Sequence, residues 1–211
     1  MHDAFVQELV RKGVLYTDRV IQAFQKVRRT DFVHQDLQPQ AFEDAPLPIG
    51  YNQTISQPST VAMMLEHLRV EPGDRILEVG CGSGWLTALL AELVGPTGMV
   101  YAIDIIPELV DLTKEHLTSY HYQNVEVRHG NGWNGLPAHA PFNRIVVSAA
   151  ATHLPDALTK QLARNGRLVI PVGGDIQDLT CVEKRADGLL NVEHHHGFQF
   201  VPLVHDLRGG V

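Results

Sequence analysis

The sequence predicts a single α/β domain built on a doubly wound, mostly parallel, Rossmann-like sheet with helices on both faces. Two observations support this prediction. From residue 73 onward, short apolar runs alternate with amphipathic helical stretches, which is typical of a parallel sheet. A glycine-rich turn between Val79 and Trp85 joins the first such strand to a helix, and Asp104 ends the next strand. Residues 1–72 are expected to form an N-terminal helical cap and a long substrate loop, and residues 73–211 the Rossmann-like core of the same domain.

The composition is that of an ordinary globular protein. The chain has 211 residues, of which 44% are apolar, and a formal net charge of −7. That charge argues against an indiscriminate nucleic-acid binder, which would carry a basic face. No apolar run approaches the ~20 residues that cross a bilayer, and Met1-His2-Asp3 has no signal-peptide pattern. We therefore expect a cytoplasmic monomer with no nucleic-acid and no membrane partner.

Two amphipathic helices are predicted between residue 1 and about residue 37. Apolar residues recur at helical spacing in both segments, with Gly13 as the expected stop of the first and Asp18 as the expected N-cap of the second. We expect these helices to cover one edge of the sheet; a role as a substrate lid is the alternative. Arg28-Arg29 is interpreted as a solvated helix end rather than as a basic binding patch.

A long loop without periodicity follows, from about residue 38 to residue 58. Its prolines favour extended or turned backbone. A loop of this length inside a compact domain is usually functional. Because its polar segment 52–57 precedes the first strand of the core, we expect the loop to fold over the strand ends where ligands bind. An amphipathic helix with Val61, Met64 and Leu68 on its apolar face comes next.

The glycine-rich turn is the most informative local motif. Glycines at positions 80, 82 and 84 let the backbone turn sharply and approach a ligand that a Cβ would keep away. The helix that begins near Trp85 offers free N–H groups and the positive end of its dipole. The dinucleotide fingerprint requires glycine at its sixth place, where this chain has Trp85. Asp104 stands where a doubly wound sheet holds a ribose by its hydroxyls; a purely structural turn is the alternative.

The rest of the core is predicted from the same alternation. Helices are expected from Pro107 to about Ser119 and from Pro155 to Ala163, the second ended by Asn165-Gly166. Strands are expected at 99–103, 125–128, 144–148, 168–172, 179–183 and 198–201.

The chain resembles the protein-L-isoaspartate O-methyltransferase family from about Phe32 to Leu203. The run Glu78-Val79-Gly80-Cys81-Gly82-Ser83-Gly84 resembles motif I of class I S-adenosylmethionine (SAM) methyltransferases. The most specific match is Gln53-Thr54-Ile55-Ser56-Gln57-Pro58, which is similar to the family's signature ahead of motif I. Further matches occur in order at 130–132, 149–151, 161–162, 171–174 and 200–203.

The resemblance implies transfer of a methyl group from SAM to the α-carboxylate of L-isoaspartyl residues in damaged proteins. S-adenosyl-L-homocysteine would be the product, and the methyl ester would let the succinimide re-form and reopen to normal aspartate. A carboxylate with an ordinary pKa near 4 is already ionised at neutral pH. It needs no general base, so no metal site is expected; the task is to hold two charged reactants in line and away from water.

The resemblance also implies the roles of single residues. Ser56 would be the active-site serine, whose hydroxyl orients the carboxylate. The expected cofactor-binding residues are Glu78, Gly80, Cys81, Gly82, Ser83, Gly84, Asp104, Ile105, Asn131 and Gly132. The expected substrate-binding residues are Thr54, Ile55, Gln57, Val201, Pro202 and Leu203.

Several positions depart from the family's pattern. Asn131 stands where the family usually has an aspartate that contacts the adenine amino group, and Asp104 stands where it usually has glutamate. An amide can still accept a hydrogen bond but loses charge assistance. We therefore expect Asn131→Asp to bind SAM more tightly. Asn52 replaces a frequent glycine and Trp85 a common tyrosine.

The histidines and cysteines are not expected to hold a metal. His194-His195-His196 are consecutive, and neighbouring residues on a strand point to opposite faces, so a solvated edge is favoured. Cys81 and Cys181 lack metal-ligand spacing and are expected to be free thiols. His153 is considered as a minor candidate for substrate contact.

Three other functions stay open on the sequence. The chain could esterify aspartate in one dedicated partner peptide, or it could be a SAM-binding module with reduced activity. An RNA methyltransferase with a similar SAM domain is the third, and the acidic charge counts against it.

Overall fold

A computed structural model of the chain describes residues 1–205, and its centre is a seven-stranded sheet in the order β5-β4-β3-β6-β7-β8-β9. The strands β3 to β7 run parallel to one another, whereas β8 is antiparallel to β7 and β9 is antiparallel to β8. The strands are β1 (Leu47–Gly50), β2 (Gln53–Ile55), β3 (Arg75–Val79), β4 (Met99–Asp104), β5 (Val125–His129), β6 (Phe142–Val147), β7 (Leu162–Gly173), β8 (Gln177–Lys184) and β9 (Leu190–Phe198). The helices are α1 (His2–Arg11), α2 (Asp18–Lys26), α3 (Pro58–Leu68), α4 (Trp85–Val94), α5 (Pro107–Leu117) and α6 (Asp156–Gln161).

The strand order places a topological switch point at β3. The chain passes from β3 to β4 on one side and returns to β6 on the other. Loops leaving the carboxyl ends of β3 and its neighbours therefore diverge and open a crevice, which is where doubly wound sheets bind ligands. The predicted mostly parallel α/β class is confirmed.

Side-chain alternation along the strands divides the core into two layers. Ile76 and Val146 pack on the face covered by α1, α2, α3 and α4, whereas Leu77 and Val147 pack on the opposite face with α6. The helix α4 is buried all round, because it lies between the sheet and the cap helices. The cap therefore shares one hydrophobic core with the sheet.

Within the cap, the start of α2 is joined to α3 by a buried carboxylate. Glu66 on α3 accepts hydrogen bonds from the backbone N–H groups of Tyr16 and Thr17, at 2.9 and 2.8 Å, and from the Thr17 hydroxyl. These bonds occupy donors where α2 begins, which otherwise lack partners. The start of α2 is therefore fixed to α3.

Several predicted element bounds are wrong. The second cap helix ends at Lys26, and the chain continues through 3-10 turns at Arg29–Phe32 and Gln35–Gln40. The last helix, α6, ends at Gln161, so Asn165-Gly166 lies inside β7, where Asn165 has a φ of 60°. The predicted strand at 198–201 is not formed: β9 ends at Phe198, and the following chain makes an isolated bridge between Ala150 and Pro202.

The long loop contains a hairpin that the sequence did not reveal. Leu47–Gly50 and Gln53–Ile55 pair as antiparallel strands around Tyr51 and Asn52. Both turn residues have positive φ values, 53° and 55°, as a two-residue type I′ turn requires. Asn52 tolerates this conformation, which is consistent with its standing where glycine is frequent.

The helices of residues 1–205 include none that is long and apolar enough to cross a membrane.

Candidate active site at the carboxyl edge of the sheet

A cavity of about 460 Å³ opens at the switch point of the sheet, within the usual size of small-molecule sites. Its floor is the glycine loop after β3, and its walls come from the β1–β2 hairpin, the segment that leads to α3, and the chain after β9. The predicted site residues that line it are Thr54, Ile55, Ser56, Gly80, Cys81, Gly82, Ser83, Asp104, Ile105, Gly132, Val201, Pro202 and Leu203.

The glycine loop is held against the end of β4 by hydrogen bonds and depends on glycine for its backbone conformation. The N–H groups of Gly80 and Cys81 donate to the carbonyl of Ile103 at 2.8 and 3.2 Å. Gly80 and Gly82 have φ values of 84° and 55°, in the region that favours glycine. A Cβ on Gly82 would lie 3.3 Å from Cδ1 of Ile49 across the cavity. The loop therefore forms a cradle in which a ligand can approach the backbone closely.

Asp104 closes the side of this cradle. Its Oδ2 accepts from the N–H of Gly82 at 3.0 Å, and its Oδ1 accepts from the N–H of Ile106 at 3.0 Å. The side chain is buried, and burial raises the pKa of its carboxyl although the backbone N–H groups oppose that shift. Each carboxylate oxygen keeps a further lone pair, so the pair can accept two hydroxyl groups.

Arg29 fixes the segment that carries Ser56. Its guanidinium is fully buried and donates to the carbonyls of Ala41 at 2.9 Å, Glu43 at 3.2 Å, Ala45 at 2.8 Å and Ser56 at 3.1 Å. Burial lowers the pKa of this group to about 10.

The guanidinium also lies over the ring of Trp85, 5.3 Å from its centroid. The interpretation of Arg28-Arg29 as a solvated end is therefore wrong for Arg29, whereas Arg28 is exposed. The one signal in the sequence was the loop itself, whose carbonyls needed a donor that no neighbouring residue supplied.

The third wall, formed by the chain after β9, is a strap, which we define as Val201–His205. The strap crosses the strand ends through backbone bonds with Ala150, whose N–H donates to Val201 and whose carbonyl accepts from Leu203, both at 2.7 Å. Trp133 supports it from below, because its indole N–H donates to the Leu203 carbonyl at 2.9 Å and its ring stacks on His205 at 4.2 Å. These contacts place Val201, Pro202 and Leu203 in the cavity wall.

Gly132 lies beneath the strap for a steric reason. A Cβ there would overlap Cγ1 of Val79 and lie 2.9 Å from Cδ1 of Leu203. The glycine therefore lets the strap approach the end of β3.

Four predicted site residues do not line the cavity and lie at positions around it. Gly84 caps α4 and packs against Thr113 of α5. Gln57 is the N-cap of α3 and its carbonyl accepts the first helical hydrogen bond. Asn131 turns to the strap, and Glu78 turns into the core.

Asn131 uses both ends of its amide. Its Nδ2 donates to the carbonyl of His205 at 2.6 Å, and its Oδ1 accepts from the N–H of Trp133 at 2.9 Å. An aspartate could make only the second bond. The expected gain in SAM affinity from Asn131→Asp is therefore opposed by the loss of a bond to the strap.

Glu78 is buried without a hydrogen bond to any described residue. Its side chain shares the face of Ile76, beside α4, and both carboxyl oxygens lack partners. Burial raises the pKa of Glu78 to about 8, and the charge of Asp104 adds to the shift. The hydroxyl of Thr87 opposes the shift without reaching hydrogen-bond geometry. Glu78 therefore holds a proton at neutral pH, behind the glycine loop rather than in the cavity.

Part of the cavity lining was not predicted from the sequence. Ile49, Tyr51 and Asn52 of the hairpin reach the cavity, as do Ser148 and Val204. No local motif marked the hairpin residues. His153 does not line the cavity; its exposed ring lies 5.1 Å from that of Trp133.

This arrangement fits SAM. A cradle in which a Cβ at Gly82 would reach Ile49 suits a close approach of the ligand to the backbone, and a buried carboxylate with free lone pairs suits a ribose diol. A doubly wound sheet with this cradle and acid at its switch point defines a class I SAM-dependent methyltransferase.

Comparisons with known proteins identify the family. The family model of protein-L-isoaspartate(D-aspartate) O-methyltransferase matches residues 1–208. A protein-L-isoaspartate O-methyltransferase of Aeropyrum pernix is 47% identical over 94% of this chain and 77% of its own length. That of Methanothrix thermoacetophila is 46% identical over 89% of both chains. The chain therefore belongs to the protein-L-isoaspartate(D-aspartate) O-methyltransferase family.

A solved structure gives the same result. A Plasmodium falciparum protein assigned as a protein-L-isoaspartate O-methyltransferase, in complex with S-adenosyl-L-homocysteine, superposes with a TM-score of 0.88. It is 26% identical, and the match covers 97% of this chain and 99% of that one.

Proposed function

We propose that this chain transfers the methyl group of SAM to the α-carboxylate of L-isoaspartyl residues in damaged proteins. The observation that carries the proposal is the meeting of three segments at one cavity: the glycine loop with Asp104, the Ser56 segment, and the strap. The family to which the chain belongs acts on this substrate class by name. Methyl esterification starts repair because the backbone nitrogen that re-forms the succinimide displaces methanol from an ester more readily than it displaces water from a carboxylate.

We assign the cofactor side of the cavity to the glycine loop and Asp104. When bound, SAM supplies an electrophilic methyl group on a sulfonium. Gly80 and Gly82 would leave space for the cofactor against the backbone, and Asp104 would accept hydrogen bonds from its ribose hydroxyls. Because Asp104 also anchors the N–H groups of Gly82 and Ile106, it positions the loop that it serves.

We assign the substrate side to the Ser56 segment and the strap. Ser56 lines the cavity, and Arg29 holds its backbone carbonyl, so its hydroxyl is positioned to donate to a substrate carboxylate. Val201, Pro202 and Leu203 supply an apolar wall for the peptide. The substrate carboxylate is ionised at neutral pH and needs no base, so position and exclusion of water provide the catalysis.

The proposal is tested with two peptides that differ at one residue. SAM labelled in its methyl group is offered to an isoaspartyl peptide and to its aspartyl twin, and base-labile methyl ester is counted. We expect incorporation into the isoaspartyl peptide alone. Label in neither peptide, with tight binding of S-adenosylhomocysteine, would favour a SAM-binding module. Label only in a dedicated aspartyl partner or in RNA would favour those alternatives.

A pair of serine variants tests the assigned role of Ser56. We expect Ser56→Ala to lower kcat/KM for the isoaspartyl peptide by about 10- to 100-fold, the usual value of one positioned donor to a charged group. Ser119→Ala, at an exposed position near the end of α5, is the matched control and should leave the rate unchanged. Equal rates for both variants would remove Ser56 from the reaction.

We further propose that the protein acts as a cytoplasmic monomer. One chain supplies every residue described around the cavity, and Cys81 and Cys181 are both free thiols, as is usual in a reducing compartment. Light scattering after size exclusion would give the mass of one chain of 23.4 kDa. A dimer mass would refute the first part, and cell fractionation tests the second.

A further inference from the structure

A second group of functional side chains lies outside the cavity. His67, Cys181 and His195 bring one potential ligand atom each to within 4.8 Å of one another. The two imidazole rings lie 4.1 Å apart, centroid to centroid. None of the three residues lines the cavity. Within residues 1–205 it is the one such convergence of three His, Cys, Asp or Glu side chains.

The fold brings these residues together from three elements. His67 is in the last turn of α3, Cys181 is near the middle of β8, and His195 is on the edge strand β9. Leu179 is paired with His195, so the side chains of Cys181 and His195 project from the same face of the sheet. That face carries α3, because Leu179 and Cys181 belong to the core layer that includes its apolar residues.

The run of three histidines is divided by this geometry. His194 points to the opposite face and contacts the Thr180 hydroxyl at 3.2 Å, whereas the exposed His196 ring contacts Asp178 at 2.6 Å. The prediction that the three do not converge on one ion is consistent with these contacts. The prediction of a solvated edge is wrong for His195, whose Nε2 is buried and has no hydrogen-bond partner among the described residues.

We propose that His67, Cys181 and His195 form a Zn²⁺ site with His₂Cys ligation. Imidazole and thiolate are the ligands that Zn²⁺ prefers in proteins, and three of them with an open fourth position is a known arrangement. Tetrahedral bonding would place neighbouring ligand atoms about 3.3 to 3.6 Å apart. The present spread of up to 4.8 Å therefore closes by small side-chain rotations. On binding, the Cys181 thiol gives its proton to solvent and the thiolate bonds to the metal.

The surrounding charges allow a fourth ligand and set a limit on affinity. Glu193 is paired with Cys181, projects from the same face of β9 and is exposed, so its carboxylate or a water can complete the tetrahedron. Arg69 and Arg167 lie close enough to His67 to oppose a cation. Arg167 is partly neutralised by Glu183, at 3.0 Å.

The consequence of metal binding would be to pin the edge strand to the helix layer. The edge strand β9 is largely exposed and pairs only with β8. One ligand would lie on α3, which follows the Ser56 segment, and another on β9, which precedes the strap. Zinc would therefore link α3 to β9, the elements next to the Ser56 segment and the strap, without contacting the cavity itself.

The test measures zinc binding to the tag-free full chain after treatment with a chelator and a reductant. We expect one Zn²⁺ per chain by calorimetry and an increase in melting temperature on adding Zn²⁺, because the ion binds the folded state. Co²⁺ should give the absorption bands of a thiolate–metal bond. We expect His195→Gln and Cys181→Ser to weaken zinc binding by about 100-fold or more, the upper range for loss of a supporting partner alone.

The matched control is His194→Gln, which removes a neighbouring imidazole from the opposite face of the same strand. It should retain the affinity, the stoichiometry and the cobalt spectrum of the wild type. If Cys181→Ser does not fold, His67→Gln and His195→Gln still test the site at less buried positions. Absence of stoichiometric binding, or equal affinity in His194→Gln and His195→Gln, would overturn the proposal.

Discussion

Glu78 is a buried carboxyl beside the site whose charged form is electrostatically costly. A carboxyl with no exposed surface and no hydrogen-bond partner among the described residues strongly favours its neutral form. Its place behind the glycine loop means that the cost falls on the stability of the fold rather than on direct contact with the cofactor. The sequence predicted an acid near the end of β3. The face of the sheet from which its side chain projects is set by the alternation of side chains along the strand, and no local motif showed that this face is the buried one.

We predict that Glu78→Gln stabilises the protein increasingly as pH rises. The folded-state pKa is about 8, against 4.5 for the free side chain. The unfolded chain therefore loses this proton first, and stability falls between about pH 4.5 and 8. The free energy of unfolding of the variant, relative to the wild type, should be about 3 kcal/mol greater at pH 8 than at pH 5. Denaturant unfolding at both pH values measures this, with the exposed Glu115→Gln as control. An equal effect at both values would contradict the prediction.

The resemblance assigns Asn131 to the cofactor, whereas its hydrogen bonds in the structure join it to Trp133 and to the strap. We predict that Asn131→Asp does not tighten binding of S-adenosylhomocysteine, because the carboxylate would face the His205 carbonyl that the amide now bonds. An unmade bond of this kind costs about 1–3 kcal/mol. Calorimetry measures the affinity, and Asn134→Asp adds the same charge at an exposed neighbouring position. Tighter binding in Asn131→Asp alone would restore the original expectation.

Among the elements, the strands and the central helices were predictable from local pattern, whereas the backbone conformations of the hairpin and the strap were not. The apolar runs that became β3, β4 and β6 are buried on both faces, so they read as strands from local sequence. The β1–β2 hairpin turns at Tyr51-Asn52, which carries no glycine, and the strap makes only isolated backbone bonds. Both depend on distant partners, Arg29 and Ala150, that no local pattern identifies.

We predict that Arg29→Met destabilises the protein by about 3 kcal/mol or more and lowers kcat/KM. The four carbonyls that now accept from the guanidinium would lose a charged donor, and the Ser56 segment would lose its anchor. The affinity for S-adenosylhomocysteine should change far less, because the glycine loop is held by β4. Arg29→Lys should rescue only partly, since an ammonium cannot span the four carbonyls.

The control for this prediction is the neighbouring Arg28→Met. Its side chain is exposed, so stability and rate should match the wild type. Equal effects of the two substitutions would show that Arg29 does not organise the loop.

At the scale of the whole molecule, the cap and the Rossmann-like core share one hydrophobic layer. Phe24 of α2 packs edge-on against Trp85 of α4, with centroids 5.6 Å apart, and the same layer continues to Ile76 and Val146 of the sheet. The division at residue 72 is therefore one of topology rather than of packing. Two parts of a chain that unfold independently would have few contacts between them.

We predict that the two faces of the sheet unfold together. The two tryptophans report on different layers, Trp85 on the cap side and Trp133 on the opposite side. Trp133→Phe and Trp85→Phe leave one reporter each, and their fluorescence in denaturant should follow the far-ultraviolet circular dichroism of the same variant. An earlier transition of the Trp85 signal than of the dichroism would mean that the cap separates from the core.

The walls of the cavity come from opposite ends of the described chain, the hairpin and Ser56 on one side and the strap on the other. The cofactor floor between them is made of residues closer together in sequence. During synthesis, the floor is therefore translated well before the second wall exists. A nascent chain can therefore enclose a substrate only after Val204 has been added.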